Sequence, residues 1–203
     1  HNAKALNLEL SQVDAVVISH GHNDHTGGLL DFFKLNDSAP VYLKKESLNP
    51  HYVDKGSHKE FIGMDERIGE EYGERLKFVS ETTQILDNFF LLPNIYKKYP
   101  NPSINRLLFS KEENQFLKDN FNHELLMVIR VNNELTLFSG CGHNGIVNMA
   151  ITAKNIFPDA KIKTIIGGFH FQAGKISSYT AKYEEIKETS QWIKKESLDK
   201  VFT

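Results

Sequence analysis

Short apolar runs, separated by polar and glycine-containing segments, recur along this chain. The brief runs rich in β-branched residues predict β-strands at 15–19, 41–43, 76–80, 84–91, 124–131, 134–139, 163–166 and 200–202. The apolar residues of 125–131 and 135–138 flank Asn132 and Asn133, a pair that suits the left-handed angles of a two-residue hairpin turn. These two strands are therefore expected to be antiparallel neighbours.

Three segments space their apolar residues as helices do, at 29–35, 145–157 and 180–198. Pro158 ends the second helix, whose apolar stripe consists of Ile146, Val147, Ala150, Ile151 and Phe157. The third is mostly charged and carries a narrower stripe. Helices that alternate with strands predict an α/β fold, and the lack of internal repeats favours one domain over 1–203.

Two longer segments have no clear period. The stretch 46–73 is polar and contains Gly56, Gly63, Gly69 and Gly73, which predicts a long loop that acts as a lid inserted into the domain. The stretch 94–105 contains Pro100 and Pro102 and is expected to be a second loop.

Composition narrows the class of protein. The chain has 203 residues, 40% hydrophobic and 25% charged, which suffices for one sizeable core. Its 24 basic and 26 acidic residues give a net charge of −2, so no nucleic-acid or membrane partner is expected. No apolar run approaches membrane-spanning length. Cys141 is the one cysteine, which fits a reducing compartment and a cytoplasmic location.

The richest chemistry lies directly after the first predicted strand. Between positions 20 and 25 the chain places His20, His22, Asp24 and His25, a pattern typical of a metal site. His20 and His22 alternate along an extended backbone and can point the same way. Asp24 and His25 lie past the bend and can bind a metal ion at a second, neighbouring position, so the spacing suits two metal ions. Gly21 is expected to adopt an unusual backbone angle between the two histidines.

Two more histidines follow predicted strands. His143 lies beyond 135–138 in a glycine-rich turn, which predicts a further metal ligand at the carboxyl edge of the sheet. His170 follows 163–166 and can lie at the same edge of the sheet. It is expected either to bind the metal, to hydrogen-bond a metal ligand from behind, or to face the substrate. The remaining internal histidines, His51, His58 and His123, are most simply surface or loop residues.

The segment 19–28 resembles the signature loop of the metallo-β-lactamase superfamily of binuclear metal hydrolases. Three further segments, 139–148, 167–170 and 61–63, resemble one branch, the dihydropterin-ribofuranosyl-aminobenzene-phosphate-synthase-like group. That branch is known from methanopterin biosynthesis and from bacterial members of unassigned substrate. The resemblance covers nearly the whole chain and implies an α/β fold of the αββα sandwich type.

This resemblance also bears on individual residues. Cys141 stands where other superfamily members place a bridging carboxylate or a thiolate ligand, although a small buried thiol packing at a strand end is the simpler explanation. His58 and Lys59 lie in the predicted lid beside 61–63, where they can meet an anionic substrate. We therefore treat all three residues as candidate substrate contacts.

The site predicts Lewis-acid hydrolysis of a small, anionic molecule. His20, His22 and His143 are expected to hold one metal ion, and Asp24 and His25, with a further group, a second. Zinc is expected because the ligands are mostly imidazoles, with iron or manganese as alternatives, and zinc lowers the pKa of bound water to about 7 and so supplies hydroxide. As an alternative to its role as a ligand, Asp24 can orient or deprotonate that water. The resemblance implies a phosphorylated pterin-like or aminobenzene-ribosyl substrate.

Other functions remain open at this point. A phosphodiesterase, a lactone hydrolase or a thioester hydrolase would share every ligand, and a metal-binding module without catalysis is a further alternative. Members of the branch usually begin with strands that contain an Asp-Thr-Gly turn and continue into a His-Cys-Thr-Gly turn. Neither turn occurs here, so the sandwich is expected to be incomplete at both ends. The sequence does not indicate an oligomeric state.

Overall fold

The computed structural model describes residues 2–172 and 180–203, and it contains short helices and three sheets. The strands are β1 Val16–Val17, β2 Val41–Leu43, β3 His51–Asp54, β4 Lys59–Phe61, β5 Leu76–Phe78, β6 Thr83–Leu86, β7 Phe89–Leu92, β8 Leu108–Glu112, β9 Gln115–Lys118, β10 Leu126–Val131, β11 Glu134–Phe138, β12 Lys161–Ile166 and β13 Lys200–Phe202. The α-helices are α1 Asn2–Ala5, α2 Asn23–Thr26, α3 Leu29–Leu35, α4 Arg67–Tyr72, α5 Ile146–Ile156 and α6 Tyr183–Glu196.

Two sheets carry the architecture. One is parallel, in the order β1-β2-β5, and the other has the order β13-β12-β11-β10-β7-β6. In the larger sheet β11, β12 and β13 are parallel, whereas β10 runs antiparallel to β11 in the predicted hairpin, with Val131 opposite Glu134. β1 and β11 belong to different sheets, and the loops that follow them meet where His25 Nε2 lies 3.1 Å from Cys141 Sγ.

Apolar packing arranges these elements in four layers. Buried residues of α3 and α4 pack with those of the smaller sheet, and buried residues of α5 pack with those of the larger sheet. A third cluster, built on Val79, Leu91 and Leu125, brings together residues from both sheets. This order of helices, sheet, sheet and helices is the expected αββα sandwich of an α/β fold.

Several elements agree closely with the sequence patterns. The strand at 41–43 and the helix at 29–35 have the predicted bounds. The prediction of one strand over 84–91 is wrong, because the chain turns at Asn88, whose φ is 70°, and returns as β7 antiparallel to β6. Apolar residues lie on both sides of this turn, so the hydrophobic pattern of the sequence does not reveal it. The domain bounds of 1–203 stay a prediction, and they include residues 1 and 173–179, outside the described part.

The segment 46–73 is not the irregular loop that its composition suggested. It contains β3, β4 and α4, and its strands join β8 and β9 in a small antiparallel sheet of order β4-β3-β8-β9. Met64 and Ile68 are only 4% and 1% exposed, and they pack with α3. Strands of three and four residues are too short to show a period. The role of this segment as a lid stays a prediction.

None of the helices in the described residues is long and apolar enough to cross a membrane.

The burial of Ile68 yields a first testable prediction. Ile68→Ala should lower the free energy of unfolding by about 3 kcal/mol, because it removes buried methyl groups and leaves a cavity between α3 and α4. Ile186→Ala, at a side chain 40% exposed on α6, is the matched control and should cost less than about 1 kcal/mol. Denaturant unfolding measures both, and equal effects would show that the segment is not packed as described.

Candidate metal centre

The loop after β1 brings the first histidines into the interior. His20 and His22 are 0% and 4% exposed. The loop is tied to the larger sheet because the Leu125 amide donates a hydrogen bond to the Ser19 carbonyl at 2.9 Å. Helix α2 follows at once, and Thr26 donates its hydroxyl hydrogen to the His22 carbonyl. The two imidazoles are thus held by backbone on both sides.

Gly21 is required for a different reason from the one expected. Its φ is not among the positive values of the described chain, so an unusual backbone angle is not its role. A β-carbon at this position would instead lie 2.5 Å from the Ser47 carbonyl oxygen and 3.0 Å from His51 Nε2. Gly21 therefore permits close approach between the histidine loop and the segment before β3.

His143 is positioned by a buried carboxylate that the sequence did not single out. Glu124 accepts hydrogen bonds from the backbone amides of Gly142, His143 and Asn144 at 2.7–3.0 Å, and from the Asn144 side-chain amide at 2.9 Å. Burial raises the pKa of Glu124 to about 7, and these four donors act in the opposite direction. The glycine-rich turn after β11 is therefore fixed by one side chain.

The imidazole of His143 is fixed as firmly as its backbone. It stacks on Phe121 with ring centroids 4.7 Å apart and planes 6° from parallel. Asn105 donates its amide hydrogen to the His143 carbonyl, which leaves Asn105 Oδ1 to accept from His143 Nδ1 at 3.1 Å. Because Nδ1 then carries the hydrogen, Nε2 of His143 has a free lone pair.

The structure brings His20, His22 and His143 together. Their ring centroids lie 4.7–4.9 Å from one another, and the planes cross at 74–81°. Within the described residues, Nε2 of each of these histidines is buried and has no hydrogen-bond partner. Buried nitrogen atoms without a partner are costly unless a bound cation or a further hydrogen bond satisfies them. The donor set therefore fits a metal ion.

Asp24, His25 and Cys141 form an adjoining and more open group. Each can offer a ligand atom within 4.8 Å of the others. His25 Nε2 lies 3.1 Å from Cys141 Sγ and 3.5 Å from Asp24 Oδ2. The Asp24 side chain is 65% exposed, so this group faces solvent while the three histidines do not. Ligand atoms of His20, His22 and Asp24, and those of His20, Cys141 and His143, also lie within 4.8 Å of one another, so the division of the ligands between two ions stays a prediction.

His170 also reaches this edge. Its ring centroid lies 4.0 Å from that of His143, and its backbone is in the left-handed region with φ of 50°. Burial lowers its pKa to about 4. Burial likewise raises the pKa of Cys141 to about 12, so without a metal the thiol keeps its proton at neutral pH. His170 and Cys141 thus contact predicted ligands, and their coordination stays a prediction.

The imidazoles of His20, His22 and His143 are uncharged at neutral pH. Burial lowers the pKa of His22 to about 3, and the neighbouring His123 and His51 act in the same direction. Burial and the surrounding histidines hold the pKa values of His20 and His143 well below the usual range. A hydrogen bond from His25 lowers the pKa of Asp24. Neutral imidazoles and an ionised carboxylate are the forms that bind divalent metals.

The interpretation of His51 and His123 as surface or loop residues is wrong for His51, which begins β3, and for His123 it is right only in that this residue lies in a loop. Both are 2% exposed, and their rings lie 5.4 and 5.2 Å from that of His22. Both contact Asp119, a residue that the sequence analysis did not single out. Burial raises the pKa of Asp119, but hydrogen bonds from His123 and His51 outweigh it and hold the value well below the usual range. Only their position beside short apolar runs could have indicated burial.

His58 and Lys59 lie away from the histidines. They occupy the turn and far end of the β3–β4 hairpin, whereas His51 begins β3 at the opposite end. His58 is exposed, and Lys59 forms an ion pair with Asp54 at 3.3 Å. The ammonium of Lys59 also sits 4.4 Å above the Phe109 ring. The described contacts of Lys59 are therefore within the small sheet rather than with the metal-ligand candidates.

Comparison with known proteins identifies this arrangement. The family model of the metallo-beta-lactamase superfamily matches residues 2–116. The chain belongs to the metallo-beta-lactamase superfamily. The superfamily predicted from the histidine loop is confirmed.

Similarity to individual proteins agrees with this family. The 7,8-dihydropterin-6-methyl-4-(beta-D-ribofuranosyl)-aminobenzene-5'-phosphate synthase of Methanocaldococcus jannaschii is 27% identical over 216 residues, covering 100% of this chain and 69% of that protein. An uncharacterized protein of the same archaeon is 28% identical over 167 residues, and the match covers 77% of this chain and 57% of that protein. The expected resemblance to the synthase branch is confirmed.

A solved structure shares the fold. It is described as Tm1679, a metal-dependent hydrolase of the beta-lactamase superfamily, and it matches with a TM-score of 0.78 and 29% sequence identity. The match covers 98% of this chain and 70% of that one. This chain is thus shorter than the superfamily members it resembles.

The Glu124 contacts lead to a second prediction. Glu124→Gln should lower the free energy of unfolding at pH 8 by about 2–3 kcal/mol, because the new amide group faces N–H donors and leaves them unpaired. Chemical denaturation measures this effect. The control is Glu112→Gln at an exposed position in β8, which should change stability by less than about 0.5 kcal/mol. A Glu124 variant as stable as this control would contradict the anchoring role.

Proposed function

We propose that this chain is the catalytic core of a metal-dependent hydrolase. His20, His22 and His143 hold one divalent metal ion, and Asp24 and His25 hold a second with His170 or Cys141. Zinc is the metal we propose, since imidazole-rich sites favour it, and iron or manganese are outcomes that elemental analysis distinguishes. The ions together supply Lewis acidity and make a bound water acidic enough to lose its proton near neutral pH.

One observation carries this proposal. The buried imidazoles of His20, His22 and His143 have ring centroids within 4.9 Å of one another, and Nε2 of His20 and Nε2 of His143 have no hydrogen-bond partner in the described residues. A purely structural role would pair these nitrogens with protein groups, as Asn105 pairs with Nδ1 of His143. The energetic cost of burying them is instead offset when they coordinate a cation.

Asp24 is the residue we assign to proton transfer. It is exposed at the mouth of the site, and the hydrogen bond from His25 favours its ionised form. An ionised carboxylate at this position can orient a water molecule and accept its proton. The buried histidines cannot take this part, because their lone pairs face the interior.

The proposed substrate is a small phosphorylated molecule. The relative from Methanocaldococcus jannaschii is named as a synthase of a ribofuranosyl-aminobenzene phosphate, which suggests a pterin-like or aminobenzene-ribosyl compound. Divalent ions held mostly by neutral imidazoles give the site a positive charge, and a phosphate group is attracted to it. We accordingly place the anionic end of the substrate over Asp24 and His25, where the site is open.

Metal content tests the ligand assignment. The double variant His20→Ala, His22→Ala should lose at least about nine-tenths of the metal that elemental analysis finds in the parent protein, because two lone-pair donors are removed. His58→Ala removes an exposed histidine and should keep the parent content. The core strands do not depend on the ion, so the double variant should remain folded. Retention of full metal content would refute the assignment.

A kinetic experiment tests catalysis. The metal-loaded protein should hydrolyse at least one member of a panel of phosphomonoesters, phosphodiesters, lactones and thioesters, with the phosphorylated compounds preferred. Asp24→Asn should lower kcat about 100-fold or more, because general-base catalysis typically contributes that much. Asp31→Asn, whose surface carboxylate pairs with Lys34, is the matched control. Bound metal without turnover on any compound would instead support a metal-binding module.

A further inference from the structure

A second histidine group lies behind His22. Asp119, whose side chain is 2% exposed, accepts hydrogen bonds through both carboxylate oxygens. Oδ1 accepts the backbone amide of Phe121 at 2.7 Å. Oδ2 lies 3.0 Å from His51 Nδ1 and 3.2 Å from His123 Nε2. The group is fully enclosed, and the proposed hydrolysis has not yet required any of it.

The hydrogen bonds fix the proton positions in this group. The Gly21 amide donates to His123 Nδ1 at 3.0 Å, so this nitrogen carries no hydrogen. His123 must therefore bear its proton on Nε2, from which it donates to Asp119. His51 also donates to the carboxylate, through Nδ1. When His51 is neutral, its lone pair is therefore on Nε2.

This assignment argues against a third cation in the group. Ligand atoms of His22, His51, Asp119 and His123 do lie within 4.8 Å of one another, as a metal site would require. A cation on His123 Nε2 would, however, have to displace the proton while Nδ1 still accepts from Gly21. That leaves an imidazolate anion, a form far less available than neutral imidazole at neutral pH. The group is better explained as a hydrogen-bond relay.

The relay ends at His22. Nε2 of His51 and Nε2 of His22 are both buried, and neither has a partner in the described part of the chain. The two ring centroids are 5.4 Å apart, with the rings edge to face at 76°. An N–H···N bond of about 3 Å, with about 1 Å from each nitrogen to its ring centre, spans about 5 Å. The rings are therefore close enough for such a bond, although the structure does not contain it.

We propose that His51, oriented by Asp119, is a positioning residue that accepts the Nε2 proton of His22. This inference rests on the proposed function. It adds a residue, His51, that holds the proposed ligand His22 by a hydrogen bond without touching the metal ion itself. With Nε2 protonated, His22 has its lone pair on Nδ1 and offers that nitrogen to the metal. His20 and His143 offer Nε2. The three ligands are then fixed in ring orientation before any ion arrives.

Charge supports the same assignment. The donors around the Asp119 carboxylate are two imidazole N–H groups and one backbone N–H. A buried carboxylate is stabilised by a cation nearby. A metal ion on His22 would lie two imidazoles away, connected through polarised hydrogen bonds. Outer partners of this kind raise the basicity of a ligand and typically change metal affinity 10–100-fold.

Nitrogen-15 spectra of histidine-labelled protein test the proton positions directly. In the metal-free protein, two-bond proton–nitrogen correlations should show protonated Nε2 on His22 and His123, and protonated Nδ1 on His51. After loading with cadmium-113, coupling should appear on Nδ1 of His22 and on Nε2 of His20 and His143. Coupling to Nε2 of His22, or to either nitrogen of His51, would overturn the inference.

Variants test the consequence for binding. His51→Leu removes the acceptor and should weaken cadmium affinity 10–100-fold in chelator competition. His51→Gln can accept from His22 and donate to Asp119 through its amide, and should stay within about 10-fold of the parent. Leu135→Ala is a control for general destabilisation, because this 0% exposed side chain lies in the core cluster of the larger sheet. It should keep the parent affinity.

The outcomes separate the two proposals. Parent affinity in His51→Leu refutes the positioning role and leaves the proposed hydrolase intact. Failure of the parent protein to bind cadmium, zinc, iron or manganese refutes the proposed function, whereas the spectra of the metal-free protein still decide the relay. If both His51 variants and Leu135→Ala bind cadmium weakly, the loss of affinity comes from general destabilisation. That result would also overturn the inference.

Discussion

The constraint on which the site depends is a short segment, 119–125, that joins three loops before β10 begins. Asp119 orients two histidines, and Phe121 supports the ring of a third. Glu124 holds the turn after β11, and the backbone amide of Leu125 holds the loop after β1. Seven consecutive residues thus set the relative positions of elements far apart in the chain, and three of them, Asp119, His123 and Glu124, have buried polar side chains.

Buried polar groups usually destabilise a fold unless each finds a partner. In the described part of the chain, six buried side-chain atoms lack a partner, and four of them are imidazole nitrogens, on His20, His22, His51 and His143. This concentration of unpaired nitrogens supports the proposed metal site. A site of neutral imidazoles carries little charge of its own, so a bound ion would set the electrostatic potential that a substrate meets. Three carboxylates could offset the positive charge of that ion. Asp119 and Glu124 lie behind the proposed ligands, and Asp24 lies at the open side of the site.

Sequence reasoning succeeded where the signal is local. The loop at 20–25, the strand before it and the hairpin through Asn132 all follow from adjacent residues. It failed for 46–73, because strands of three or four residues carry no measurable period, and for 84–91, because apolar residues continue through the turn at Asn88. It also missed Asp119 and Glu124. A single carboxylate among polar residues forms no recognisable sequence pattern. Its role becomes visible only in the fold, where backbone amides from distant parts of the chain contact it.

That convergence has a consequence for how the chain reaches its native state. The hydrogen bond from Gly21 to His123 links residues 102 positions apart, and the contact between His25 and Cys141 links residues 116 apart. Contacts of such separation form late, since a large loop must close before they contribute. A partly folded chain therefore presents scattered histidines rather than a binding site. An ion bound by these residues would stabilise only chains that have finished folding, so metal supply would regulate the lifetime of the native protein as well as its chemistry.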